Sequence, residues 1–276
     1  MDNNNLQTTN KKAGNDIEQT HEQNHENNNS NYYIIIFFVM AIGASLFYSA
    51  KSTKNGFRTK TQRLARDTQE NTAISNSKYV FGIDISHYQG KINWDNVKTS
   101  SHPITFVFIR ASMGKNKKDN RFSENWENAQ KHNYVRGAYH YYRPSENSTK
   151  QFDNYNSIVK LKSGDFIPIL DIEKESVFGR KNLRKGVLNW LKLAEAAYGV
   201  KPMIYTGLSF YNHTLKGYVD DYPIWIAAYS GKHRVKNTDW TFHQFTEKVI
   251  INGIGEYVDG NDFNGTLDDL KKMTLK

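Results

Sequence analysis

Short runs rich in β-branched and aromatic residues recur eight times between residues 79 and 259, and this recurrence constrains the fold more than any other feature of the chain. Such runs are typical of β-strands. They span 79–85, 104–111, 135–141, 166–172, 201–206, 223–229, 240–246 and 255–259. Helical periodicity fills the earlier gaps, at 122–132, 147–161 and 181–198, whereas the gaps after residue 206 are shorter. The alternation predicts an α/β fold, namely an irregular TIM-like (β/α) barrel of about eight strands with fewer helices in its second half.

Three segments of different composition precede the predicted barrel domain, which we expect at 78–276. Residues 1–31 are rich in Asn and Gln and nearly free of apolar side chains, which predicts a disordered polar tail. Residues 32–50 carry no charge over 19 positions, and as a helix they would measure about 28 Å, against about 30 Å of bilayer hydrocarbon. They predict a transmembrane or signal-anchor helix, with a cleaved signal peptide as the alternative. Residues 51–77 form a basic linker.

Composition narrows the classes of function. The chain has no cysteine, which excludes disulfides, thiolate catalysis and Cys-based zinc sites. Its net charge of +9 favours polyanionic partners in general. Because no motif that reads nucleic-acid bases accompanies this charge, we expect no nucleic-acid partner.

Acidic residues stand at the ends of three predicted strands. Asp84 ends the first, Asp171 and Glu173 end the fourth, and Asp259 ends the eighth. Since the carboxyl ends of parallel barrel strands meet at one face, we expect these groups to lie together there. Asp171 and Glu173 are two apart in an extended strand, so their side chains point to the same side.

A pair of neighbouring carboxylates suits glycosidic cleavage. Each carboxylate shifts the pKa of the other, so that one can donate a proton to the leaving oxygen while the other stays ionised beneath the developing oxocarbenium ion. A carboxylate site for a hard cation and a solvent-exposed acidic pair remain as alternatives. No histidine pair at ligand spacing accompanies the acids, and we expect neither a metal nor a cofactor.

The strand-end residues lie in segments that resemble, in order, the strands of glycoside hydrolase family 25 lysozymes. The first is FGIDISHYQG (81–90), followed by Ile92-Asn-Trp94. The others are FVFIRA (106–111), GAYHYY (137–142), ILDIE (169–173), IYT (204–206), IWIAAY (224–229), WTFHQF (240–245) and VDGN (258–261). The family commonly has Lys where this chain has Arg110. The resemblance covers about residues 79–270 and implies an N-acetylmuramidase, which hydrolyses the β-1,4 bond between N-acetylmuramic acid and N-acetylglucosamine in peptidoglycan.

The resemblance also implies roles for individual residues. Glu173 would be the general acid, and Asp171 would orient the substrate acetamido group or stabilise the positively charged intermediate. Asp84 and Asp259 would complete an acidic floor. The expected substrate-binding residues are Tyr139, Tyr141, Tyr205, Trp225, Gln244 and Arg110, and core packing is the alternative for the aromatic ones. His87 and His140 are interpreted as structural.

The implied partners are a peptidoglycan glycan strand and, through residues 32–50, a membrane, with a monomeric catalytic domain. Residues 51–78 carry seven Lys or Arg, which by the positive-inside tendency favours a cytoplasmic domain. Long domains can translocate despite flanking charge, and peptidoglycan lies outside the cytoplasm. We therefore expect the domain outside the cytoplasm, in the periplasm or at the cell surface. It would be membrane-anchored or, alternatively, secreted after signal cleavage. A non-catalytic module that binds cell-wall glycan on the same barrel is the functional alternative.

Overall fold

The computed structural model describes residues 79–229 and 232–276, and this part of the chain folds into a β-barrel surrounded by helices. Its strands are β1 (Val80–Ile85), β2 (Phe106–Met113), β3 (Lys117–Lys118), β4 (Val135–Tyr141), β5 (Ile169–Asp171), β6 (Met203–Gly207), β7 (Ile224–Ala227), β8 (Phe242–Val249) and β9 (Val258–Phe263). Its α-helices are α1 (Trp94–Val97), α2 (Phe122–Lys131), α3 (Ser148–Ile158), α4 (Gly179–Tyr198), α5 (Leu208–Phe210) and α6 (Leu267–Lys272). Single turns of other helix types span His87–Gln89, Tyr211–Leu215 and Lys232–Val235.

Eight of these strands close into a barrel, and β3 only forms a two-residue hairpin with β2. The order around the barrel is β1, β2, β4, β5, β6, β7, β8, β9, and β9 returns to pair with β1. The predicted barrel, regular in its first half and poorer in helix in its second, is confirmed.

The last strand differs from the expectation of parallel strands. β9 runs antiparallel to both β8 and β1, and it spans 258–263 rather than the predicted 255–259. The reason is the length of the connection, because β8 ends at Val249 and β9 begins at Val258. A parallel crossover needs about a dozen residues or more, whereas this shorter segment permits an antiparallel return.

Alternation of side chains along the strands separates two apolar layers. One layer lies between barrel and helices, where α4 buries Leu183, Val187, Trp190, Leu191 and Ala194. The other fills the barrel interior and is built mainly from large rings, among them Phe106, Phe108, Phe166, Trp225 and Phe242. These rings pack against one another in tilted and edge-to-face pairs at centroid distances near 5 Å, so the barrel interior is a packed core.

Two strand glycines make room for this interior. A Cβ on Gly82 would lie 2.5 Å from the ring of Phe106, and one on Gly137 would lie 2.7 Å from the ring of Phe108. Both distances are well inside van der Waals contact, so any side chain at either position would collide with a ring of the core.

The three predicted N-terminal segments, 1–31, 32–50 and 51–77, lie outside the described residues. Within 79–229 and 232–276, no helix combines the length and the apolar character that a membrane crossing requires.

Candidate active site

A cavity of about 210 Å³ opens at the barrel end where β1, β2 and β4–β8 finish. Its walls contain every site residue that the sequence predicted: Asp84, Arg110, Tyr139, Tyr141, Asp171, Glu173, Tyr205, Trp225, Gln244 and Asp259. Ile85, Ser86, Tyr88 and Gln89 complete the lining. The structure therefore brings together groups from all eight barrel strands and from the segments that follow β1 and β5.

Asp84 lies buried at the cavity floor, where two side-chain amides hold it. Gln244 Nε2 and Asn261 Nδ2 each donate a hydrogen bond of 2.8 Å to Asp84 Oδ2. Aromatic donors fix both amides, because Trp225 Nε1 donates to Asn261 Oδ1 at 2.8 Å and the hydroxyl of Tyr205 donates to Gln244 Oε1 at 2.8 Å. With their oxygens occupied, the amides can only present N–H groups to the carboxylate.

Asp259 reaches the same floor from the antiparallel strand. It stands near the start of β9 and pairs in register with Asp84 at the end of β1. Burial raises the pKa of Asp84 well above its ordinary value, and the negative charge of Asp259 raises it further. Burial, with the charge of Glu247 next, raises the pKa of Asp259 to about 6. Burial and the nearness of the two charges therefore disfavour a floor in which both carboxyl groups are ionised.

Asp171 and Glu173 occupy unlike environments although they are two residues apart. Asp171 ends β5 and is buried, and its Oδ1 has no hydrogen-bond partner among the described residues. Glu173 follows the strand and is exposed on the cavity wall. Burial, and then the charge of Glu173, raises the pKa of Asp171 well above its ordinary value. The two carboxyl groups thus form one buried and one accessible member of an acidic pair.

The predicted aromatic residues are partly wall and partly core. Tyr139, Tyr205 and Trp225 are at least nine-tenths buried and pack into the barrel interior, yet each also lines the cavity. The rings of Tyr205 and Trp225 lie 4.4 Å apart between centroids. Tyr141 is half-buried, and burial, followed by the charge of Glu173, raises its pKa to about 12. Burial raises the pKa of Tyr139 and Tyr205 as well, so the hydroxyl groups of all three tyrosines are neutral near pH 7.

Arg110 is the one cation in the cavity lining, and a buried carboxylate outside the lining holds it. Arg110 Nε donates to Asp119 Oδ2 at 3.0 Å, and its guanidinium also contacts the ring nitrogen of His87. Asp119 Oδ2 accepts further bonds from the backbone N–H and Nδ1 of His87, both at 3.0 Å. Arg110 also lies 5.0 Å from the ring of Tyr88, measured from its central carbon. Its positive charge is thus fixed beside the carboxylates.

The rim of the cavity carries Tyr88, which is largely exposed. A capping box holds the turn that presents it, because Ser86 Oγ accepts from the N–H of Tyr88 and Gln89 Oε1 accepts from the N–H of Ser86. Its ring stacks on His87 at 4.3 Å between centroids. An aromatic side chain is thus exposed to solvent at the entrance.

Sequence reasoning missed three contributors: Asn261, Asp119 and Tyr229. Strand alternation from Asp259 pointed to Asn261, since residues two apart share a face. Tyr229 ends a predicted strand, and its hydroxyl donates to Gln244 Oε1 at 2.7 Å. No local pattern marked Asp119, which lies in the turn after β3.

His140 takes no part in the cavity. It faces the helices, is fully buried, and bonds to Ser112 Oγ at 2.7 Å and to Gln151 Oε1 at 3.2 Å. Burial lowers its pKa to about 4, so it is a neutral structural residue. Within the described part of the chain, no three His, Asp or Glu side chains are grouped so as to hold a metal ion.

Comparisons with known proteins agree with this geometry. The family described as glycosyl hydrolases family 25 matches residues 83–254. The uncharacterized protein YegX of Escherichia coli (strain K12) is 37% identical over 203 residues, which cover 72% of this chain and 74% of that protein. Lysozyme M1 of Streptomyces globisporus is 34% identical over 205 residues, 68% of each chain. The crystal structure of a bacterial lysozyme from Streptomyces coelicolor matches with a TM-score of 0.64 at 29% identity, over 72% of this chain and 98% of that one. The chain therefore belongs to glycosyl hydrolases family 25.

Proposed function

We propose that this chain is a lysozyme of the N-acetylmuramidase type, which cleaves the β-1,4 bond between N-acetylmuramic acid and N-acetylglucosamine in peptidoglycan. The observation that carries the proposal is the accessible carboxyl of Glu173 beside the buried carboxyl of Asp171, at the mouth of a cavity that Asp84 and Asp259 floor. Membership of a glycoside hydrolase family and the lysozyme names of its relatives support it.

Glu173 is the general acid in this proposal because it is the member of the pair that a sugar can touch. In the free protein the raised pKa of Asp171 holds a proton within the pair. A bound sugar excludes water from Glu173, and desolvation favours the protonated form of a carboxyl group. The proton is then delivered from Glu173 to the glycosidic oxygen as the bond to the leaving sugar breaks. Water supplies the new oxygen at the anomeric carbon, and a proton of that water returns to the carboxyl pair.

The other carboxylates act on the positive charge that develops at the anomeric carbon. Asp171, once it has lost its proton, places an anion below the sugar and orients the acetamido group. Asp84 and Asp259 supply one shared negative charge at the floor. Because these groups are held before substrate arrives, little reorganisation is needed during the reaction.

The walls provide flat apolar surface and directed hydrogen bonds for the sugar rings. Tyr139, Tyr141, Tyr205 and Trp225 line the cavity, and we assign their aromatic side chains to contact with the sugar rings. Gln244 orients Asp84, and Arg110 balances part of the negative charge. All these groups come from one chain, and we propose that the domain acts as a monomer.

We also propose that the domain, 78–276, works outside the cytoplasm. Residues 32–50 would hold it to the membrane as a transmembrane or signal-anchor helix, after the polar tail of 1–31, and the basic linker of 51–77 would give it reach to the wall. Protease added to cells made permeable only at the outer surface should release the intact domain. A domain protected until the inner membrane is broken would contradict this topology.

The proposed reaction is tested by the products released from purified peptidoglycan. After digestion with the full chain, reduction with borohydride and mass spectrometry, muramidase action leaves reduced N-acetylmuramic acid at the new chain end. Reduced N-acetylglucosamine at that end would assign the other bond. Tight binding to the polymer with no new reducing ends would instead support the non-catalytic glycan-binding module.

A further inference from the structure

The loop between β5 and α4, residues 172–178, follows directly on Glu173 and carries an exposed apolar pair. Val177 is 83% exposed and Phe178 is 63% exposed. Neither side chain packs against the hydrophobic core, so neither contributes to core packing. Large apolar side chains exposed side by side mark contact surfaces more often than single ones do.

Internal contacts brace the loop and the start of α4. Glu175 Oε1 accepts a hydrogen bond of 2.9 Å from Arg180 Nε and one of 2.8 Å from Thr214 Oγ1. Ser176 Oγ accepts from the N–H of Phe178 at 3.2 Å. These hydrogen bonds hold the turn that exposes Val177 and Phe178 to solvent.

Exposed lysines flank the pair in the sequence. Lys174, Lys181 and Lys185 are exposed, and none of them has a carboxylate partner among the described residues. We call Lys174, Val177, Phe178, Lys181 and Lys185 the α4 patch. Its surface combines apolar and positively charged groups.

The positions of these charges disfavour the helix that bears them. The first turn of α4 contains no acid and includes Lys181, where the positive end of the helix dipole repels a cation. Lys181 and Lys185 are four residues apart, a spacing at which like charges repel on a helix. Residues that oppose local stability are expected where they serve binding.

The α4 patch lies close to the cavity along the chain, which favours an anionic partner that also occupies the cavity. Val177 is four residues beyond Glu173, so the chain itself keeps it within about 14 Å of that residue. A polymer whose sugars occupy the cavity extends farther than this distance, so its substituents can reach the patch.

We propose that the α4 patch binds the peptide stems of the peptidoglycan strand, with the lysines facing stem carboxylates and Phe178 covering apolar surface of the strand. This inference rests on the proposed function and names a part of the substrate that the cavity itself does not recognise. Charge complementarity between exposed lysines and carboxylates carries it.

The test compares hydrolysis of two substrates by the full chain in a mild non-ionic detergent. One substrate is soluble glycan strands that keep their stem peptides, and the other is the same strands after an amidase has removed the stems. The variant is Lys181→Glu/Lys185→Glu. The control, Lys160→Glu/Lys192→Glu, makes the same change in net charge at exposed lysines past the end of α3 and farther along α4. Phe178→Ser is measured alongside.

On stem-bearing strands we expect Lys181→Glu/Lys185→Glu to raise KM about three- to tenfold with kcat within twofold, since exposed charge contacts are weak and contribute to binding alone. On stem-free strands its KM should equal that of the wild type, and the control should match the wild type on both. Phe178→Ser should raise KM on stem-bearing strands without changing kcat. Added salt should reduce the advantage that stems give the wild type.

Several results would overturn the inference. One is an equal loss on both substrates, and another is no loss on either. A third concerns anionic phospholipid added to the detergent micelles. If it inhibits the wild type but not Lys181→Glu/Lys185→Glu, and the KM of that variant is unchanged, the patch binds lipid instead. In each of these the wild type still cleaves glycan, whereas a wild type inactive on both substrates would instead contradict the proposed function.

Discussion

Asp84 on β1 lies directly opposite Asp259 on the antiparallel strand β9, and the charge of Asp259 adds to burial in raising the pKa of Asp84 at the cavity floor. The oriented amides of Gln244 and Asn261 hold Asp84 from the other side. This relation gives the floor a charge that depends on pH, and it makes the stability of the domain depend on pH as well.

Replacing Asp259 with Asn should make stability less dependent on pH. The pKa of Asp259 in the folded state is about 6, above the ordinary value of 3.8. Between these pH values the folded state therefore binds a proton that the unfolded state has released. This group's contribution to stability is therefore complete below about pH 4 and is lost as the pH rises through 6, by about 3 kcal/mol at most. Chemical denaturation from pH 4 to 7 should show a smaller decline for Asp259→Asn. The control is Asp153→Asn, at an exposed position of α3. A decline in Asp259→Asn as large as that of the wild type would contradict the raised pKa of Asp259.

Glu173→Gln should fold normally and lose most of its lytic activity, because the amide keeps the shape of the side chain but cannot deliver a proton. The expected loss in kcat is about 10² to 10⁴-fold. Turnover of purified peptidoglycan is the measurement. Glu127→Gln, at an exposed position of α2, should retain full activity. If Glu173→Gln kept activity within threefold of the wild type, another group would have to be the acid.

Arg110→Gln should move the acid limb of the pH–rate profile to higher pH. The guanidinium of Arg110 lowers the pKa of Asp171, against the larger effects of burial and of Glu173 that raise it. Without this cation Asp171 ionises only at higher pH, and the enzyme should need that higher pH to place an anion below the sugar.

Arg110→Lys is the matched variant, since it keeps the positive charge beside Asp119 and should leave the limb near its wild-type position. Both variants disturb the buried contact with Asp119, so a simple structural defect would lower activity at every pH in both. A limb that stays in place in Arg110→Gln would show that the charge of Arg110 does not act on the reacting carboxylates.

Gly82→Ala should destabilise the domain by about 1 to 3 kcal/mol through overpacking. Its new Cβ would lie 2.5 Å from the ring of Phe106, which is held by neighbouring rings in the barrel interior. Gly207→Ala is the control, because its backbone has φ −68° and nothing lies within 4 Å of the added carbon. Denaturant midpoints compare the two, and equal midpoints would mean that the interior relaxes around the methyl group.

Single residues of the site differ in how far the sequence predicted their positions and surroundings. Asp171 and Glu173 were expected on one side of a strand end, since an alternation of two holds in any strand. Their unequal burial was not predictable, because it depends on which neighbouring strands cover each carboxyl. Asp119 shows the same limit more sharply, since a buried carboxylate in a turn has no local pattern and is recognisable only from the contacts of Arg110 and His87.

The sequence by itself determined the number and order of the barrel strands, the face at which their polar ends meet and the acids that stand there, because these follow from local periodicity and spacing. Only the tertiary structure decided the direction of β9, the pairing of Asp84 with Asp259 and the clamping of Asp84 by amides from β8 and β9. Strand partners are chosen by closure of the whole barrel, and hydrogen bonds between residues so far apart in the chain leave no mark on the pattern of either segment.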